Sequence, residues 1–200
     1  MDGLYFYWIF WAFWIIAAFF MKKTLARMLL IQWILAAISL SVFSFSIAAI
    51  KVSLSALFLF FTALMAILAT KEKKRLYSLF AVFIVTLAFA GFQLIELYDP
   101  VVFLFNRTWM MAAYLTLLVV LLEKDVRMQM AVLIAGAIYG DLLFAVLLRN
   151  IAEYHAGSLA TLDVIALVLA VLYALHIFKE ASFALEEQFK QLERGKQNTP

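Results

Sequence analysis

Seven long apolar runs separated by short polar breaks set the pattern of this 200-residue chain. The runs are Leu4–Met21, Met28–Ala49, Ser53–Thr70, Leu76–Leu97, Phe103–Leu122, Met128–Leu148 and Leu159–Phe178. Each is close to the roughly 20 apolar residues that carry a helix across the hydrocarbon core of a bilayer. The breaks are Lys22–Arg27, a turn at Lys51, Lys71–Arg75, Tyr98–Pro100, Glu123–Arg127 and Arg149–Gly157. No run alternates like a strand for long enough to suggest a barrel, so backbone polar groups in lipid must be satisfied within helices. The pattern predicts an all-α integral membrane protein with seven transmembrane helices over 1–178 and a cytoplasmic tail over 179–200. The turn at Lys51 is the least marked break, having neither Gly nor Pro. Val101–Arg107 reads as an outer interfacial stretch leading into the fifth helix.

Where the basic residues fall predicts the orientation. With the C-terminus inside, the inner breaks and the tail hold Lys22, Lys23, Arg27, Lys71, Lys73, Lys74, Arg75, Lys124, Arg127, Lys179, Lys190, Arg194 and Lys196. The outer side holds Lys51, Arg107 and Arg149. Thirteen against three is a strong positive-inside bias, repeated loop by loop, and it places the N-terminus outside. An even number of spans would break the alternation. The first run has no basic segment before it and no small-residue cleavage site, so it reads as a retained span, not a signal peptide. Its Tyr5, Tyr7, Trp8, Trp11 and Trp14 suit an anchor at the outer headgroup boundary.

Composition agrees: 68% of residues are hydrophobic and 14% charged, against about 25% charged in soluble domains. With no cysteine and two histidines, thiolate chemistry is excluded and a histidine-rich metal site is not expected. Neither a cofactor motif nor a phosphate loop is present, and no nucleic-acid partner is expected. The seventh span also lacks the lysine that a retinal-type Schiff base needs. The lipid bilayer is the one partner that composition demands.

Ionisable residues inside spans are costly and therefore become the candidate sites. Asp141 lies well inside the sixth span, beside Gly136 and Gly140, whose small-xxx-small spacing allows another helix to approach. Gln93 and Glu96 are three residues apart near the outer end of the fourth span. Arg107 lies at the outer end of the fifth, Arg149 at that of the sixth, and Thr161 and Asp163 open the seventh. Two readings stand side by side. Arg107 or Arg149 could pair with Glu96 or Asp141 and lock the helices; alternatively Glu96, Asp141 and Asp163 could line an outward cavity for a cation or proton. Ser39, Ser41, Ser44 and Ser46 are placed on the second helix, bonding carbonyls one turn back. His155 reads as loop and His176 as a solvated residue of the inner boundary.

In the tail, Phe178, Ser182, Leu185, Phe189 and Leu192 recur at spacings of three and four, predicting an amphipathic helix to about residue 194 that ends at Gly195. Leu185, Phe189 and Leu192 are its candidate docking residues for a membrane or cytoplasmic protein partner.

The opening Phe6-Tyr7-Trp8 leading to Phe20-Met21-Lys22-Lys23, the Leu97-Tyr98-Asp99-Pro100 corner and Thr108-Trp109-Met110 resemble the YphA family of small multi-pass membrane proteins of spore-forming Gram-positive bacteria. The resemblance runs the length of the chain and implies a bacterial plasma membrane. It implies no activity and brings no site residues. A non-enzymatic accessory or assembly factor is the expected function, and a small permease or ion-coupled carrier is the alternative.

Overall fold

The protein is described here by a computed structural model covering residues 2–47, 50–98, 106–149 and 154–197. Among these residues the chain forms α1 (Leu4–Phe20), α2 (Leu25–Leu40), α3 (Leu54–Leu68), α4 (Glu72–Tyr98), α5 (Arg107–Leu122), α6 (Val126–Leu148) and α7 (Leu159–Gln197). Three short strands accompany them: β1 (Ser44–Ile47), β2 (Ile50–Ser53) and β3 (His155–Ala156). Asp99–Phe105 and Glu153 lie outside the described residues, and with them most of the expected interfacial stretch.

Several helices start where a polar side chain satisfies the first free amides. Thr24 accepts from the Arg27 amide at 3.3 Å, Asn106 from Thr108 at 3.0 Å and Asp125 from Arg127 at 3.2 Å. These caps place Arg27 and Arg127 within helices, so α2 and α6 begin before the apolar runs at Met28 and Met128.

The largest departure from the sequence expectation is between α2 and α3. The Met28–Ala49 run does not continue as one helix; α2 stops at Leu40 and the chain turns into a hairpin. β1 and β2 pair antiparallel with Ser44 opposite Ser53 and Ile47 opposite Ile50. Ser44-Phe45-Ser46-Ile47 and Ile50-Lys51-Val52-Ser53 alternate with period two, which suits a pleated strand better than a lipid-facing helix. Ser44 and Ser46 are therefore strand residues. Ser41 does bond back, donating to the Ile38 carbonyl at 2.7 Å. β3 joins β2 in parallel, with Lys51 opposite His155, so the supposed loop histidine is part of a small sheet. This sheet closes the end of the bundle where α6 finishes and α7 begins, hereafter the sheet end. The opposite end, with Lys22, Lys73 and Lys124, is the basic end.

α6 is the central helix. It is apolar on nearly all of its faces, as suits a largely covered helix, and it packs on α3, α4, α5 and α7, with Tyr139, Val146 and Leu147 left about half exposed. Its closest neighbour is α4. A Cβ on Gly136 would lie 2.6 Å from Val85 Cβ, and one on Gly140 would lie 2.8 Å from both Phe89 Cβ and the Thr86 carbonyl oxygen. The two glycines thus mark where the α4 and α6 backbones meet.

Among the described residues three helices are long and apolar enough to cross a membrane: Glu72–Tyr98, Val126–Leu148 and the Leu159–Phe183 part of α7. The other four are apolar but have 15 to 17 residues, or about 22–26 Å at 1.5 Å per residue. Large apolar side chains face outward around the bundle, among them Trp8, Phe20, Leu25 and Leu121, each more than 70% exposed. So much exposed apolar surface suits lipid and not water. α7 runs through Gly195 to Gln197, so that glycine does not end the helix as expected.

Candidate functional site

Asp141 is fully buried near the sheet end of α6. Four donors converge on its carboxylate. Gln93 Nε2 from α4 at 3.0 Å and the Tyr154 hydroxyl at 2.7 Å reach Oδ1. The Gly157 amide at 2.6 Å and the Thr161 hydroxyl at 2.9 Å reach Oδ2. Each oxygen thus has one N–H donor and one hydroxyl, a pattern that suits a group acting only as acceptor. A buried charge costs several kcal/mol unless hydrogen bonds replace its water, and bonds to a charged group contribute about 1.5–3 kcal/mol each. The network therefore joins α4, α6, the connection after α6 and the first turn of α7.

Tyr154 sits edge-on to Phe144, with ring centroids 5.1 Å apart. Burial first, and then the neighbouring Asp141 carboxylate, push its phenol well above the usual range, so it remains a donor at any physiological pH. Gly157 has φ +66°, and a Cβ there would fall 2.3 Å from Ala56 Cβ. The turn that aims its amide at Asp141 therefore has room only for glycine.

The other candidates divide into separate arrangements. Glu96 pairs with Arg107 at 2.8 Å, both partly exposed; such a pair contributes up to about 1 kcal/mol. Asp163 accepts from the Gly3 and Phe6 amides, each at 2.7 Å. α1 has no acidic residue in its first turn and no capping side chain of its own, so Asp163 of α7 supplies the negative charge that a helix N-terminus favours. The structure therefore unites Gln93 with Asp141, keeps Glu96 with Arg107 and gives Asp163 to α1. Arg149 follows α6 directly and, among the described residues, pairs with neither acid. No group of three metal-ligating side chains occurs among the described residues.

A second polar cluster, at the basic end, was not foreseen. Glu123 is buried and accepts from the Ser78 hydroxyl at 2.6 Å, while Gln129 Nε2 donates to the Glu123 carbonyl at 2.6 Å. Tyr77 donates to the Leu122 carbonyl, and Lys74 pairs with Asp125 at 3.1 Å. The Lys74 hydrogen bond outweighs a small burial effect and holds the Asp125 carboxyl below its usual range. These bonds tie the start of α4 to the turn between α5 and α6. His176, expected to be solvated, lies 3.3 Å from Glu180. Among the docking candidates, Leu185, Phe189 and Leu192 lie on the backbone of α7, with their side chains outside the described set.

The YphA-like integral membrane protein family matches residues 2–198. The uncharacterized protein YphA of Bacillus subtilis (strain 168) is 24% identical over 197 residues, covering 98% of each chain. No solved structure matches.

Proposed function

Since the chain belongs to the YphA-like integral membrane protein family, we propose that it is a non-enzymatic accessory or assembly factor of the bacterial plasma membrane, with seven spans, the N-terminus outside and the C-terminus in the cytoplasm. The observation that carries this reading is α7. Its 39 residues make a helix of about 58 Å, roughly twice the hydrocarbon thickness. Its core contacts end near Leu172, and beyond that Leu175, Ile177, Phe178 and Phe183 are exposed. The helix continues past the bundle and carries Leu185, Phe189 and Leu192 at spacings of four and three, the pattern of one helix face, which a partner helix could read.

The polar residues of the sheet end support the same reading. Asp141, Asp163 and Glu96 are each bonded within the fold, as expected of groups that hold helices together. The small carrier built on Asp141 and Glu96 remains the competing reading, and the stability of Asp141 variants separates the two.

Two experiments test the proposal. A chain ending at Lys179 is expected to insert and fold normally but to lose the proteins that co-purify with the full chain in mild detergent. An unchanged set of co-purifying proteins would sink the accessory reading. The orientation is tested with single introduced cysteines, which are unique because the native chain has none. In intact cells a membrane-impermeant maleimide should label Lys51→Cys and not Lys124→Cys. The reverse pattern, or equal labelling, would refute the topology.

A further inference from the structure

Between α1, α2, α3, α6 and α7 lies a half-open cavity of about 500 Å³. It occupies the half of the bundle next to the basic end, with Phe13, Ala63 and Ile134 among its walls and exposed Met21, Leu30 and Ala66 at its rim. Of its polar wall groups, the Trp33 indole donates to the Thr62 hydroxyl at 3.0 Å, and Thr62 donates to the Leu59 carbonyl at 2.9 Å. The remaining polar tip is the Tyr173 hydroxyl. A wall this apolar excludes water and suits an apolar guest. The volume is that of a small-ligand pocket, enough for one chain and not for a whole two-chain lipid.

What lies beside the rim identifies the guest. Met21 runs directly into Lys22 and Lys23, both exposed, and Arg27 Nη1 donates to the Met21 carbonyl at 3.3 Å. Among the described residues none of these three cations pairs with an acid. An apolar slot therefore opens beside three uncompensated positive charges, the same juxtaposition as a phospholipid's chain and its phosphate. We propose that this cavity binds one acyl chain of an anionic phospholipid, with Lys22, Lys23 and Arg27 receiving the headgroup. Which leaflet supplies the lipid follows from the orientation proposed above, whereas the site itself does not depend on it.

The test is native mass spectrometry of the delipidated full chain in mild detergent, titrated with phosphatidylglycerol or phosphatidylcholine of identical acyl chains. The wild type should retain one phosphatidylglycerol with about tenfold preference, given roughly 1 kcal/mol per basic residue near an anionic surface, reduced because Lys22 and Lys23 are exposed to screening. Ala66→Trp, which plugs the exposed rim, and Ala63→Phe, which fills the interior, should lose that lipid while remaining monodisperse. If Ala63→Phe does not fold, Ala66→Trp decides the matter, because its position is exposed. The triple variant Lys22→Gln, Lys23→Gln, Arg27→Gln should keep a lipid but lose the headgroup preference. Retention by folded Ala66→Trp equal to wild type, no retained lipid in the wild type, or equal affinity for both headgroups would each overturn the proposal.

Discussion

Asp141→Asn is expected to destabilise the folded protein by about 3 kcal/mol, because two hydrogen bonds to a charged group are lost and buried donors are left facing each other. The carboxylate accepts from four donors, two on each oxygen. An asparagine can offer one oxygen only. Its amide must then point at either Gln93 Nε2 and the Tyr154 hydroxyl, or the Gly157 amide and the Thr161 hydroxyl. Against Gly157 this sets an N–H facing an N–H that cannot turn away, and against Gln93 it does the same unless that amide flips and gives up its bond from Tyr154, all in a fully buried site. Thr161→Val removes one of the four bonds and leaves no buried donor unpaired, so it should cost less, about 2 kcal/mol. The measurement is the fraction of protein that stays monodisperse in mild detergent over a temperature series, with Lys51→Gln on the exposed strand as control. An Asp141→Asn protein as stable as wild type, but deficient in uptake of a cation or solute, would refute the structural reading and establish the carrier.

Gly157→Ala should cost a similar amount, about 3 kcal/mol, from two additive sources. A positive φ is unfavourable for a residue with a Cβ by about 1 kcal/mol. The new methyl would lie 2.3 Å from Ala56 Cβ, and overpacking of this kind costs about 1–3 kcal/mol. Ala56 is itself buried on α3, so its methyl cannot swing aside as a long side chain would. Backbone movement to relieve the clash would draw the Gly157 amide away from Asp141. The double variant with Asp141→Asn should therefore fall short of the sum of the two, since both break the same network. Full additivity would show that the two residues act independently. The same temperature series reads both singles and the double.

How much of this was legible beforehand varied with the range of the interactions involved. Helix positions were largely readable, since apolar runs and the caps Thr24, Asn106 and Asp125 act on near neighbours. The hairpin was hidden because Ser44–Ser53 is apolar enough to extend a helix run, and only its alternation with period two argued otherwise. Asp141 stood out as a buried acid that needed partners. Gln93 was legible as a polar residue of the fourth span and bonds Asp141, but Tyr154, Gly157 and Thr161 could not be assigned to that acid. Gly157 and Thr161 did carry a signal: a glycine before a helix start, and a hydroxyl within that helix's first turn. The structure sets Asp163 against Gly3 and Phe6, partners 160 and 157 positions away that no local pattern could indicate.

By itself the sequence determined the class of the protein, the places where helices can run and the ends at which positive charge collects. These depend on transfer of side chains between water and lipid and on contacts within a few residues, both of which are local. The tertiary structure alone decided that α4 meets α6 at Gly136 and Gly140, that a carboxylate on α7 caps α1, and that four donors close around Asp141. Those outcomes rest on pairing between distant segments: a buried polar group must find its complement, and nothing local in the chain specifies which one.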